Sequence, residues 1–283
     1  MDFLERCATC GRDIEAGQAY SRVTFEGKPY VFCCETCESA FEASSFQRQL
    51  IPESFENAFL SVFIEYLPAL RVGGDYAHAR FLRDELFYLF VGDVSGHGVT
   101  ASLLMSRVSA EVERLAGAEV ELVEIVVNLD DLIRRVAGTK TLYLTLFSSL
   151  ANLRTGTLSF VNCGHPAPLL WSDHSKRPLE LESQAVPVGL FDLAGTRPRP
   201  ERIPIVEGSR LVLFTDGLTD GLSELETETG VELGESGIEA MVRDFIARPS
   251  AESAQQVFDR VRKLPKPEDD ILLALVEFKK SRP

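Results

Sequence analysis

The chain has 283 residues, enough for one large domain plus a small module, and its 29 Lys and Arg against 43 Asp and Glu give a net charge of −14. Such an acidic chain is a poor match for nucleic acid or an anionic membrane, because both partners require a basic surface. The sequence has no apolar run of about 18 residues and no basic-then-apolar leader, so it predicts a cytoplasmic protein without a membrane partner.

The N-terminal region is rich in cysteine, with five of the six cysteines in the first 37 residues. Cys7 and Cys10 form one short-spaced pair, Cys33 and Cys37 form another, and Cys34 is an extra. Clustered cysteines in a reducing cytoplasm indicate metal binding rather than disulfides. Two such pairs separated by a hairpin-sized insert suit a tetrahedral zinc site.

The insert itself predicts a β-hairpin, with strands at residues 20–25 and 30–32 and a turn at 26–29, followed by a helix at 35–46. Residues 31–37 together with Phe41 resemble small metal-binding modules of the YHS and TRASH type. The resemblance implies that one zinc ion is bound by four ligands, Cys7, Cys10, Cys33 and Cys37. We favour a structural role for this zinc over a sensor of metal or thiol redox state, because nothing marks an open coordination site.

These patterns divide the chain into a cysteine-rich module at residues 1–43, a helical connector at 44–54 and a large domain at 55–280. The connector could transmit a signal to the large domain or simply pack on it. In the large domain the predicted strands are 59–67, 86–91, 142–150, 158–163, 169–171, 211–215 and 271–278, and the predicted helices are 101–115, 122–136, 238–247 and 251–261. Consecutive strands predict mainly antiparallel sheets with helices packed outside.

Aspartates recur beside glycines at the ends of the predicted strands. Asp75 follows two glycines, Asp93 lies in a glycine-rich turn and Asp216 precedes a glycine, while Asp269 and Asp270 stand directly before the last strand. Any one of these matches is typical of an ordinary turn. Together they indicate carboxylates gathered around hard cations, because glycine lets the backbone approach a ligand.

In this order the motifs resemble the metal-dependent protein phosphatase family, which has the protein phosphatase 2C fold, in its bacterial sporulation-stage-II-E-like branch. The resemblance covers about residues 46–280 and is carried by the segments 46–52, 71–76, 92–98, 101–105, 144–147, 161–166, 214–217 and 268–270. It implies an α+β fold, an α-β-β-α sandwich of two mainly antiparallel sheets flanked by helices. It also implies a serine/threonine protein phosphatase that uses two Mn²⁺ or Mg²⁺ ions.

The same resemblance assigns the site residues. The catalytic carboxylates are Asp75, Asp93, Asp216 and Asp269, with Asp93 bridging the two ions and the backbone carbonyl of Val94 contributing. Asp270 is the alternative to Asp269, and the family pattern favours Asp269. Two ions about 3.5–4 Å apart activate a shared water and neutralise phosphoryl charge. Relatives often act on phosphorylated anti-sigma-factor antagonists, which gives a substrate class.

Other residues near these motifs also suggest roles, and for His97 and Arg71 two interpretations remain open. His97 is either a proton donor to the leaving group or a hydrogen-bonded scaffold residue, and Arg71 either holds a phosphate or is simply exposed. Cys163 is expected to be a small buried side chain, and His165 to fix its turn. The chain departs from the family after Tyr76, where it continues with residues 77–80 (Ala-His-Ala-Arg) instead of an aromatic and an acid.

The competing hypothesis is a non-catalytic protein that senses metal and sequesters a signalling partner. It is disfavoured because a scaffold has no chemical need for all four carboxylates. The sequence leaves open whether the protein is a homodimer, which substrate it acts on and whether Mn²⁺ or Mg²⁺ is preferred.

Overall fold

The computed structural model describes residues 5–279 apart from 16, 70–71, 97, 138–141, 173–174, 176, 230–236 and 266–268. The chain divides into two compact units, Met1–Gln49 and Leu50–Pro283. Helix α1 (Glu35–Arg48) includes residues of both the predicted cysteine module and the predicted connector. The division into module, connector and phosphatase domain stays a prediction.

The N-terminal unit contains two small hairpins followed by α1. The first pairs β1 (Glu5–Arg6) with β2 (Asp13–Ile14), and the second pairs β3 (Ser21–Phe25) with β4 (Lys28–Phe32). The second hairpin is confirmed, but its turn is shorter than predicted. Glu26 and Gly27 alone form it, with φ of 49° and 75°, because two residues of positive φ match the twist of the strands.

A five-stranded antiparallel sheet forms one half of the larger unit. It is built from β7 (Asp75–Arg83), β8 (Leu86–Val94), β9 (Leu144–Asn152), β10 (Thr157–Cys163) and β13 (Glu201–Pro204), in the spatial order β13-β10-β9-β8-β7. Its outer face is covered by α2 (Val99–Gly117) and α3 (Leu122–Ala137). Both helices pack through apolar stripes at helical spacing, such as Val108 and Val112 of α2.

A six-stranded antiparallel sheet forms the other half. Its strands are β5 (Phe55–Glu56), β6 (Leu60–Leu67), β11 (Leu169–Trp171), β12 (Leu179–Glu180), β14 (Ser209–Phe214) and β15 (Ile271–Phe278), in the order β12-β11-β14-β15-β6-β5. Its outer face packs against α4 (Asp216–Thr229), α5 (Gly237–Ala247) and α6 (Ala251–Val261).

Three apolar layers hold these elements together. One lies between α2, α3 and the five-stranded sheet, one lies between the two sheets around Phe147 and Leu213, and one lies under α4–α6 around Phe245. The predicted α-β-β-α sandwich is therefore confirmed. In the part of the chain that the structure describes, no helix has both the length and the apolar content needed to cross a membrane.

The structure also contains elements that the sequence did not predict. Strand β7 begins at Asp75 and α4 begins at Asp216, and the predicted strand at residues 86–91 extends to Val94 as β8. The alternation along β7 is weak because its middle residues are half-buried, so pairing with β8 rather than local preference defines it. Helix α4 has glycine at positions 217 and 221, and glycine lowers intrinsic helix propensity.

Candidate active site and cysteine cluster

The five aspartates of the sequence motifs lie at one end of the two sheets. Asp75, the first residue of β7, pairs with Asp93 near the end of β8. Asp216 follows β14, and Asp269 and Asp270 precede β15. Because β14 and β15 are antiparallel neighbours, the end of β14 lies beside the start of β15. Strand β6 belongs to the six-stranded sheet, and β7, which begins at Asp75, belongs to the five-stranded sheet.

Two glycines allow the backbone to pack against these carboxylates. A Cβ atom on Gly73 would lie 1.5 Å from Oδ2 of Asp270. A Cβ atom on Gly74 would lie 2.6 Å from the carbonyl oxygen of Val94 and 3.1 Å from Oδ1 of Asp93. Any side chain at either position would clash, so the close approach requires glycine.

Burial and mutual repulsion raise the pKa values of the inner carboxyl groups. Asp75 is 2% exposed, and its pKa is raised well above the usual value by burial and by the charges of Asp93 and Asp270. Burial, together with Asp216 and Asp269, raises the pKa of Asp93 to about 7, although a hydrogen bond with Asp75 partly offsets this. The carboxylates therefore repel one another unless protons or cations compensate their charge.

The outer carboxylates are more accessible. Asp216 is exposed and Asp269 is half-buried, and burial followed by the charge of Asp269 raises the pKa of Asp216. Buried like charges with oxygen donors at their open side fit hard divalent cations. Among the described residues, the carboxylates do not form a set of three with oxygens within 4.8 Å of one another.

Thr215 connects the two sheets at this site, a role that the sequence did not reveal. Its completely buried hydroxyl donates to Oδ2 of Asp75 at 2.7 Å and accepts the backbone N–H of Leu272 at 2.9 Å. Thr215 and Asp75 are 140 positions apart in the chain. The one local signal was a hydroxyl residue directly before Asp216.

Asp269 and Asp270 have different surroundings. Both oxygens of Asp270 accept backbone N–H groups, from Ala69 to Oδ1 at 2.8 Å and from Gly74 to Oδ2 at 2.7 Å. Asp269 accepts the backbone N–H of Asp270 through Oδ1 at 2.8 Å and remains half-buried.

The other predicted residues lie around this cluster or outside the described residues. His165 is 4% exposed, its Nδ1 contacts Oγ1 of Thr145 at 3.1 Å, and burial lowers its pKa to about 3, so the ring is neutral. Cys163 is completely buried, which raises its pKa to about 12 and agrees with a packing role. His78, where the chain departs from the family, contacts the Tyr76 hydroxyl at 3.0 Å. His97 and Arg71 lie outside the described residues.

The N-terminal unit brings four cysteines together. The sulfur atoms of Cys7, Cys10, Cys33 and Cys37 all lie within 4.8 Å of one another, and those of Cys10 and Cys33 are 3.6 Å apart. A zinc ion with four bonds of about 2.3 Å places its sulfur ligands about 3.8 Å apart. The cluster therefore has the dimensions of a tetrahedral thiolate site.

The thiols of the cluster have pKa values shifted in opposite directions: the hydrogen bond with Cys10, followed by burial, raises the pKa of Cys33, and burial raises that of Cys37. Burial raises the pKa of Cys7, but the backbone N–H groups near it outweigh this effect and lower the pKa to about 6. Thr9 ties the first cysteine pair to the second, because its hydroxyl donates to the carbonyl oxygen of Cys37 at 2.6 Å. Cys34 is exposed, and its sulfur lies 3.8 Å from that of Cys33, so it adjoins the cluster without belonging to the four.

Comparison with known proteins connects the larger unit to a family of phosphatases. The sequence profile of the family described as Stage II sporulation protein E (SpoIIE) matches residues 83–279, which leaves Asp75 before the matched range. The phosphoserine phosphatase RsbU of Bacillus subtilis is 23% identical over 199 residues. That match covers 70% of this chain and 56% of RsbU, so the chain spans little more than half the length of this relative.

Solved structures share the fold at lower identity. The SiaA-PP2C domain of Pseudomonas aeruginosa is 22% identical with a TM-score of 0.73, and the similarity covers 87% of this chain and 98% of that one. The catalytic domain of the serine threonine protein phosphatase PstP, in complex with two manganese ions, is 15% identical with a TM-score of 0.57, covering 78% of this chain and 99% of that one. Both similarities establish the protein phosphatase 2C fold.

Proposed function

The chain belongs to the Stage II sporulation protein E family, and from this membership we propose that it is a metal-dependent serine/threonine protein phosphatase. The observation that carries the proposal is the convergence of Asp75, Asp93 and Asp216 with Asp269 at one end of the two sheets. The relative RsbU is named a phosphoserine phosphatase. The proposed substrate is a phosphorylated regulatory protein of the anti-sigma-factor-antagonist class.

The proposed metal centre holds two Mn²⁺ or Mg²⁺ ions. Asp93 would hold the ions together with Asp75, because the two residues are partners across β7 and β8 and the charges of Asp216 and Asp269 also act on Asp93. Val94 contributes its carbonyl oxygen, which lies beside Gly74. When bound, such ions lower the pKa of a shared water and neutralise charge on the phosphoryl oxygens.

The residues of the chain then perform three tasks. The buried pair Asp75 and Asp93 supplies negative charge in a site of low dielectric, where it attracts cations strongly. The accessible Asp216 and Asp269 complete the oxygen donors on the side open to solvent, where a phosphoprotein can enter. Thr215 orients Asp75 through its hydroxyl.

For the N-terminal unit we propose one structural zinc ion bound by Cys7, Cys10, Cys33 and Cys37. The support is the mutual distance of the four sulfur atoms. So small a unit buries little core, so that metal binding supplies much of its folding free energy.

Phosphate release from a phosphoserine peptide with and without Mn²⁺ tests the catalytic proposal. Asp93→Ala and Asp216→Ala are each expected to lower the Mn²⁺-dependent rate at least about a hundredfold, while circular dichroism remains that of a folded domain. Asp84→Ala is the matched control, because Asp84 is exposed in the turn between β7 and β8, at the opposite end of β7 from Asp75. Near-normal rates in the Asp93 and Asp216 variants at saturating Mn²⁺ would leave the non-catalytic binding protein as the better description.

A further inference from the structure

The carboxylate of Asp270 is surrounded by backbone rather than by open space. The residue is 2% exposed, and its oxygens accept backbone N–H groups, among them those of Ala69 at 2.8 Å (to Oδ1) and of Gly74 at 2.7 Å (to Oδ2). These two donors lie at the two ends of the segment that links β6 to β7. One side chain therefore ties down both ends of the crossing between the sheets.

The backbone at Gly73 shields this carboxylate from a cation. A Cβ atom on Gly73 would lie 1.5 Å from Oδ2 and 2.4 Å from Oδ1 of Asp270, so the backbone at Gly73 packs directly over both oxygens. An ion at those oxygens would also face the positive ends of two N–H dipoles. Asp269, by contrast, is half-buried, and its Oδ1 accepts the backbone N–H of Asp270.

The position of Asp270 connects it to Asp75. Gly74, whose N–H it accepts, directly precedes Asp75. Asp270 also directly precedes β15, whose first residue Ile271 pairs with Leu67 at the end of β6. The carboxylate is therefore held by the six-stranded sheet while it fixes the backbone that delivers Asp75 to the five-stranded sheet.

We propose that Asp270 is a positioning residue that holds the β6–β7 crossing, and thereby Asp75, in place opposite Asp93, and that Asp270 is not itself a metal ligand. The part of this proposal that concerns metal rests on the proposed two-ion centre. The part that concerns the backbone does not, and it can be tested on metal-free protein.

Amide hydrogen exchange of the full chain, measured by NMR without metal, tests the backbone contacts. In the wild-type protein the amides of Ala69 and Gly74 are expected to be protected. In Asp270→Asn only one amide oxygen remains as an acceptor, so at least one of these two amides should exchange at least about tenfold faster. Asp269→Asn and the exposed control Asp84→Asn should leave both amides unchanged. Unprotected Ala69 and Gly74 amides in the wild-type protein would overturn the proposal without recourse to any variant.

Calorimetric titration with Mn²⁺ distinguishes a positioning residue from a ligand. Asp270→Asn should retain the wild-type number of bound Mn²⁺ ions with weaker affinity, whereas Asp269→Asn should lose an ion or nearly all affinity for it. In a protein that already carries Asp75→Asn, Asp270→Asn should cause no further loss of Mn²⁺ affinity, because Asp270 affects the metal centre by positioning Asp75. Loss of a bound ion in Asp270→Asn with unchanged amide protection would make Asp270 a ligand. If the wild-type protein binds no Mn²⁺, the proposed metal centre fails, while the exchange data still decide the backbone role.

Discussion

Replacing Thr215 by Val tests whether the bond between the two sheets positions the site. Valine has nearly the same shape as threonine but lacks the hydroxyl that donates to Asp75 at 2.7 Å and accepts the N–H of Leu272 at 2.9 Å. Thr215 is completely buried, so water cannot replace either bond. The substitution therefore leaves both a carboxyl oxygen and a backbone N–H with one partner fewer.

The size of the effect follows from these two contacts. An unsatisfied buried N–H costs about 1–3 kcal/mol, and the lost bond to Asp75 contributes about 1 kcal/mol. Thr215→Val should therefore lower the free energy of unfolding of the metal-free protein by about 2–4 kcal/mol. With metal bound, Asp75 is charged and the lost bond is worth more, so Mn²⁺ affinity should fall about tenfold, equivalent to about 1.4 kcal/mol.

Thr215→Ser is the matched control, because it keeps the hydroxyl and removes only a methyl group, at a cost of about 1 kcal/mol. Urea unfolding followed by circular dichroism measures stability, and calorimetric titration measures Mn²⁺ affinity. If Thr215→Val matches Thr215→Ser within about 0.5 kcal/mol in stability and binds Mn²⁺ as the wild type does, the hydroxyl does not position Asp75.

Two further predictions concern metal and pH. The purified protein should contain about one zinc per chain, which elemental analysis measures. Replacing Cys7 and Cys10 by Ser should remove the zinc and make the N-terminal unit sensitive to limited proteolysis. Cys163→Ser is the control, because Cys163 lies outside the cluster. In metal-free protein, burial and neighbouring carboxylates raise the pKa of Asp93 from 3.8 to about 7, so the folded state binds more protons than the unfolded state between these values. The free energy of unfolding should therefore decrease as pH rises from about 4 to about 7, and saturating Mn²⁺ should make it depend less on pH. Urea unfolding in the presence of a chelator measures this dependence. A free energy of unfolding that rises over this pH range would contradict the reasoning.

The sequence alone established most of the strands and helices of the larger unit, since their apolar periodicities are local. The run at residues 271–278 coincides with β15, and the stripe at residues 122–136 coincides with α3 within one residue. The cysteine spacing in turn identified the four residues whose sulfur atoms meet in the structure. Patterns of this kind can be predicted from the sequence because residues close in the chain remain close in the fold.

Tertiary structure decided how the site is assembled. The family pattern favoured Asp269 over Asp270 as a ligand but gave no role to Asp270. The structure shows that Asp270 accepts the N–H groups of Ala69 and Gly74 from about 200 positions earlier in the chain. Thr215 likewise reaches Asp75 across 140 positions. Contacts of this range depend on the register of antiparallel strands and on how one sheet packs against the other. The register and the sheet packing depend on the whole buried core, so they cannot be predicted from a local periodicity of the sequence.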